Sequence, residues 1–110
     1  MARRRRATKR PSAQRDIVEC ALFIAEDKPS AGERFLDAVE ATVQFLAEHP
    51  HTGRVQDFGN PQLEGLRCRP VKGFKKFLIF YFPTTEGIDV FHVYHGARDL
   101  PALFDVDEGD

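Results

Sequence analysis

Two stretches of helical periodicity, cut by Asp27-Lys28-Pro29 and followed only by segments of strand character, limit what this 110-residue chain can fold into. In the first stretch Ile17, Cys20, Ala21 and Ile24 follow the i, i+3, i+4, i+7 spacing of one helix face, and Val18, Leu22 and Ala25 widen that apolar stripe. Ser12 stands where an N-cap is expected, so the spacing predicts a first helix over Ala13 to Glu26. Pro29 disfavours helical backbone at Lys28, and Ser30 with Glu33 three residues later has the capping-box pattern. The second helix, with Phe35, Val39, Thr42, Val43 and Leu46 on its inner face, is stopped by Pro50. So short a link packs the two helices antiparallel, as a hairpin.

His51 to Pro61 mixes glycines with polar residues and reads as an irregular loop. Leu66-Arg67-Cys68-Arg69 alternates as a strand with one face toward a core, whereas Phe77 to Phe82 is apolar on both faces, as a central strand is. Pro83 and Thr84-Thr85-Glu86-Gly87 then turn the chain into a strand from Ile88 to His95. The order α-α-β-β-β excludes a doubly wound parallel sheet and predicts an α+β fold, a helical hairpin on one face of a small antiparallel sheet. Apolar residues occupy both parities of the last two strands. The sheet face away from the helices is therefore expected to expose Phe or Val unless a partner covers it.

This length suits one domain, and 42% apolar residues supply one core. A net charge of −1 conceals segregation: Met1 to Arg15 holds seven basic residues and no acid, while the remainder carries nine basic against seventeen acidic residues. Five of those nine, Arg67, Arg69, Lys72, Lys75 and Lys76, fall within ten residues and form a basic patch suited to phosphate or to an acidic protein segment. Met1 to Arg10 repels itself and reads as a disordered basic tail, residues 105–110 as an acidic one, with the domain between them. Cys20 and Cys68 lack CxxC spacing, so free thiols in a reducing cytoplasm are expected. The longest apolar run, Phe77 to Phe82, is too short to span a bilayer. His92 and His95, three apart on a strand, face opposite sides, and His49 and His51 flank Pro50 in a loop, so no metal site is expected, nor any cofactor.

Several segments occur in a telling order. They are Ala13-Gln14-Arg15-Asp16-Ile17 with Ile24-Ala25, Pro29 to Phe35-Leu36, and Leu46-Ala47-Glu48-His49-Pro50 followed by Gly53-Arg54. Leu63-Glu64-Gly65-Leu66-Arg67, Phe80-Tyr81, and Val90 through His95-Gly96-Ala97-Arg98-Asp99-Leu100 follow. Together, from about Pro11 to Phe104, the chain resembles the ParE/RelE superfamily, the toxins of type II bacterial toxin-antitoxin pairs. That resemblance implies a β-α-α-β-β-β fold whose first strand falls near Arg6 to Arg10, a segment without apolar alternation where only a short edge strand is expected. It also implies a cytoplasmic toxin held in a hetero-oligomer by a cognate antitoxin protein. ParE-like members poison DNA gyrase by binding; RelE-like members cut messenger RNA on the ribosome.

Cleavage of RNA through its 2′-hydroxyl needs a base, an acid and cations around the phosphate. Arg67, Lys72, Lys75, His95 and Arg98 are the candidates if the chain is a nuclease, with Tyr81 as another proton-transfer group. RelE-like nucleases typically add a catalytic tyrosine near the C-terminus; none follows Arg98, and the ending Asp105-Val106-Asp107-Glu108-Gly109-Asp110 repels RNA. The HGARD ending matches the ParE-like branch better. A non-enzymatic toxin acting on DNA gyrase is therefore expected, with Arg67, Arg69, Lys72, Lys75, Lys76, Tyr81 and Arg98 binding target or partner. A ribosome-dependent endonuclease and a non-toxic interaction module of the same fold are the alternatives. Plainer roles compete: a core aromatic with a bonded hydroxyl for Tyr81, a hydrogen bond in the closing turn for His95, an ion pair with Asp99 for Arg98, and a solubilising tail for the arginine run.

Overall fold

Each long helix begins on a proline. In the computed structural model, which describes residues 5–105, Pro11 opens α1 (Pro11–Asp27) and Pro29 opens α2 (Pro29–Glu48). Proline suits the first helical position because its missing N–H would find no partner there and its φ is already helical. Ser12 and Ser30 consequently lie inside the helices and cap neither. The N-caps are Arg10 and Lys28, without side-chain cap bonds; Ser12 Oγ donates instead to the Phe91 carbonyl at 2.8 Å, and Ser30 Oγ accepts from Arg34 at 3.4 Å. Lys28 alone links the helices, in extended conformation. Gly32 lets them close, since a Cβ there would lie 2.9 Å from both the Ala21 carbonyl oxygen and the Ala25 methyl.

The hairpin buries Ala13, Ile17 and Ala21 from α1, and Phe35, Val39, Thr42, Val43 and Leu46 from α2. Val18 and Leu22, expected to widen the first stripe, are 54% and 63% exposed. The stripe is narrower because α1 lies along the margin of the sheet and is covered on fewer sides than α2.

Among the described residues the sheet has five strands, β1 (Arg6–Lys9), β2 (Arg54–Val55), β3 (Arg67–Val71), β4 (Phe74–Pro83) and β5 (Gly87–His95), in the order β1-β5-β4-β3-β2. The β3-β4-β5 meander is antiparallel as expected, and the sheet as a whole is mixed, because β1 runs parallel to β5 with Arg6 opposite Gly87 and Lys9 opposite Val90. Residues 6–9, read from composition as disordered tail, thus form an edge strand. Backbone pairing needs little apolar alternation, and Gly87 allows the approach: a Cβ there would overlap the Arg6 carbonyl. Residues 1–4, and residues 106–110 of the acidic ending, lie outside the described residues.

The face away from the helices is not bare, contrary to expectation. Phe58, Leu63 and Leu66, brought over by the segment with a 3-10 turn at Pro61–Leu63, and Phe104 of α3 (Leu100–Asp105) cover it. Phe104 lies 4.7 to 5.9 Å from the rings of Phe58, Phe80, Phe91 and Tyr94, so the sheet separates two cores. The segment from His51 to Pro61, expected to be irregular throughout, also contains a 3-10 turn at Pro50–Thr52 and β2.

Beyond the end of β1, the edge of β5 is closed by side chains. Ser12 donates to the Phe91 carbonyl, Asp16 Oδ2 accepts from the Val93 N–H at 3.0 Å, and the Cys20 thiol lies 3.8 Å from the Val93 carbonyl. Residues four apart share one helix face, so a single row of α1 takes the place of a neighbouring strand.

Candidate functional site

Arg67 and Tyr81 stand opposite each other in the β3-β4 ladder, toward the helices. Tyr81 is fully buried; its hydroxyl donates to the Pro50 carbonyl at 2.7 Å and accepts from the Gly53 N–H at 2.9 Å. Arg67 NH1 donates to the carbonyls of His51 and Gly53 at 3.1 and 2.7 Å. These two candidates together fasten the turn that follows α2. Two residues further along β3, the Arg69 guanidinium lies 5.1 Å over the half-exposed ring of Phe45 on α2. Arg69, Phe45, Pro70 and Val71 line an open groove between α2 and β3, with Lys72 and Lys75 at its rim. Thr42 seats that rim, its Oγ1 accepting from the Lys72 N–H at 3.1 Å and donating to the Ala38 carbonyl at 2.8 Å. Gly73, at φ 81°, makes the tight β3-β4 turn that a side chain would strain.

His95 and Arg98 occupy a second cleft, on the α1 flank. The Gly96 N–H donates to the Lys76 carbonyl at 2.6 Å, which draws exposed Lys76 beside the closing turn. His95 Nδ1 accepts from the Ala97 N–H at 3.0 Å and its ring meets Phe77 edge-on at 4.9 Å. Arg98 lies 5.3 Å over the Tyr94 ring. Asp16, Cys20 and Phe23 complete the cleft. Of the nuclease candidates, then, Lys72 and Lys75 rim the α2 groove, His95 and Arg98 share the α1 cleft, and Arg67 sits at the opposite end of β3, roughly 13 Å from Val71 along the strand. Among the described residues no group of three or more His, Cys, Asp or Glu is placed to hold a metal ion. Sequence reasoning missed Asp16 and Phe45 as contributors to these clefts, although Asp16 lies within one of the quoted segments.

Cys20, Cys68 and Tyr81 all shift upward. Burial pushes the Cys20 thiol up to about 11, with Asp16 and Glu19 adding and Arg98 opposing. Burial pushes Cys68 up to about 12 against Arg54. Tyr81 is raised as well, chiefly by burial, against the Gly53 hydrogen bond and the charges of Arg67 and Arg69. A group with a raised folded pKa holds its proton more tightly when folded, so its stabilisation is complete below the unfolded pKa, 9.0 for the thiols, and is lost as pH rises through the folded value. The urea midpoint is expected to stay level from about pH 7 to 8 and to fall by about pH 10.5. A midpoint that rises over that interval would contradict the burial of these three groups.

The family model for the ParE toxin of the type II toxin-antitoxin system parDE matches residues 9–100. The chain belongs to the ParE toxin family. The ParE match runs from the last residue of β1 to the first of α3, and so takes in the helical hairpin, the meander and both clefts. No curated protein matches the chain closely enough to count as a relative. As a ParE-family protein it is the toxin member of a toxin-antitoxin system. Among its described residues no helix is long and apolar enough to cross a membrane.

Proposed function

We propose that this ParE-family toxin acts in the cytoplasm by binding DNA gyrase, without cutting RNA, and that a cognate antitoxin protein silences it in a hetero-oligomer. The observation that carries the reading is the dispersal of the candidate catalytic groups. Phosphodiester cleavage needs its base, acid and cations around one phosphate, within hydrogen-bond reach. Here Tyr81 and Arg67 are engaged by the turn at residues 50–53, and the histidine lies in a different cleft from Lys72 and Lys75. Binding makes no such demand. An aromatic floor at Phe45 with a cationic rim at Arg69, Lys72 and Lys75 suits an acidic protein segment carrying an apolar anchor. Lys76 and Arg98 extend the positive surface toward the closing turn.

Purified toxin in molar excess is expected to abolish supercoiling of relaxed plasmid by gyrase. The double variant Lys72→Glu/Lys75→Glu, at two exposed positions, should weaken inhibition at least about tenfold without lowering the melting temperature. Supercoiling left untouched by the wild-type protein would overturn the gyrase reading. A-site cuts found by primer extension on translated messages would replace it with the nuclease one.

A further inference from the structure

The arginines at the start of the chain take no part in that reading, yet β1 and the N-cap position of α1 that follows it fix two of them in place. Arg6, Thr8 and Arg10 turn toward the sheet face opposite the helices. Thr8 Oγ1 and Arg10 Nε bond the Asp89 carboxylate at 3.1 and 2.9 Å, and Arg6 lies 3.8 Å from Glu86. Held by Asp89, the Arg10 guanidinium lies 4.7 Å over the Phe91 ring and 5.4 Å over that of Phe82, two rings themselves 5.7 Å apart. This corner is the part of the face that α3 leaves open. Phe82 and Phe91 are only partly buried, and with Arg10, Ser12, Gln62 and exposed Arg15 they line a shallow cleft.

Two independent features meet there. One is charge: Arg5, Arg6, Arg10 and Arg15 stand at or beside the corner against two acids, Glu86 and Asp89, which pair with Arg6 and Arg10. The other is shape, a planar cation laid on two aromatic rings. A solubilising tail accounts for the first and not for the second. Bases with free faces stack on aromatic rings and guanidinium planes while their phosphates follow a positively charged groove, whereas a duplex hides those faces. We infer that the β1 corner is a binding surface for single-stranded nucleic acid, with Arg10 on Phe82 and Phe91 as the stacking platform and Arg6 and Arg15 as phosphate contacts. The inference does not rest on the gyrase reading, and its test contains no gyrase.

The test is fluorescence anisotropy with the full chain, a labelled oligothymidylate of about 16 nucleotides and a duplex of equal length, between about 50 and 200 mM salt. The single strand is expected to bind at least about tenfold more tightly than the duplex. Arg15→Glu, an exposed helix position, should weaken binding and reduce the salt slope by about one or more. Arg10→Lys keeps the charge and removes the planar face, so it should keep the salt slope and lose the preference for the single strand. Equal affinity for the two nucleic acids, an unchanged preference in Arg10→Lys, or no saturable binding would each overturn the assignment.

Discussion

Alanine at Gly53 is expected to cost the domain about 3 kcal/mol, read as a lower urea midpoint at unchanged slope. The backbone is not the reason, since φ −70° and ψ 155° suit any residue. Space is the reason. A Cβ at this position would overlap the Tyr81 hydroxyl and lie 2.8 Å from two of its ring carbons. Tyr81 has nowhere to retreat, being fully buried among the residues of the helix-side core. Either its ring is forced off its rotamer or the turn at residues 50–53 moves outward and gives up both hydroxyl bonds and the Arg67 bond to the Gly53 carbonyl. Overpacking costs roughly 1–3 kcal/mol and a stranded buried hydroxyl a similar amount, and the two overlap. Tyr81→Phe alone should cost about 2 kcal/mol by leaving the Gly53 N–H and the Pro50 carbonyl without that partner. The double variant should cost less than the sum by about 1 kcal/mol or more, because the atom that alanine strikes first is gone. Strictly additive costs would show that the turn does not rest on this tyrosine. Arg67 has a related consequence for mutagenesis: reversing its charge loosens the same turn, so lost toxicity in such a variant would report on folding as much as on target contact.

Asp16→Ala is expected to be nearly as damaging, again about 3 kcal/mol. One carboxylate oxygen, Oδ2, accepts from both His92 Nδ1 at 2.7 Å and the Val93 N–H at 3.0 Å, and the Asp16 and His92 side chains are only 16% and 11% exposed. Deleting the carboxylate strands a strand amide in a nearly dry place, at roughly 1–3 kcal/mol, and removes a bond to the His92 ring besides. Asp16→Asn keeps one acceptor oxygen and should recover about half of the loss. Hydrogen exchange separates this local effect from general loosening. The Val93 amide should move to fast exchange in the alanine variant while the amides of β3 and β4 slow or quicken only in step with global stability. An alanine variant as stable as the parent would mean that α1 merely lies beside the edge of β5.

The helical hairpin and the meander were legible because each announces itself by its own period. Prolines at positions 29 and 50 punctuate the helices, and the apolar run ending at Phe82 has the character of a strand covered on both sides. β1 was legible only through the family resemblance, because its partner lies eighty residues away and the pairing asks little of its side chains. β2 and α3 are too short to show periodicity. The second core is hard to read for a specific reason: Phe58 and Leu63 are isolated apolar residues in polar surroundings, Phe104 ends a short apolar run far along the chain, and nothing local says that they meet on Phe80. With a core on each side of the sheet, alternation alone also cannot say which face of β3 turns inward; Cys68 joins one core while Arg67 and Arg69 reach across the margin of the other. Ser12 bonds the Phe91 carbonyl and does not cap α1, because Pro11 already occupies the first helical position.

The pairing of β1 and α1 with β5 also sets a time at which the protein can come into being. Residues 6–20 emerge early from the ribosome, yet their strand partner and the backbone groups that Ser12, Asp16 and Cys20 seal belong to residues 87–93. Contacts this distant along the chain form late, and the segments that await them stay unpaired meanwhile. A nascent chain shorter than about this span therefore carries the helical hairpin without the sheet edge that locates it. The α1 cleft, whose walls include Val93, Tyr94 and His95, therefore does not exist in the interval before β5 is made.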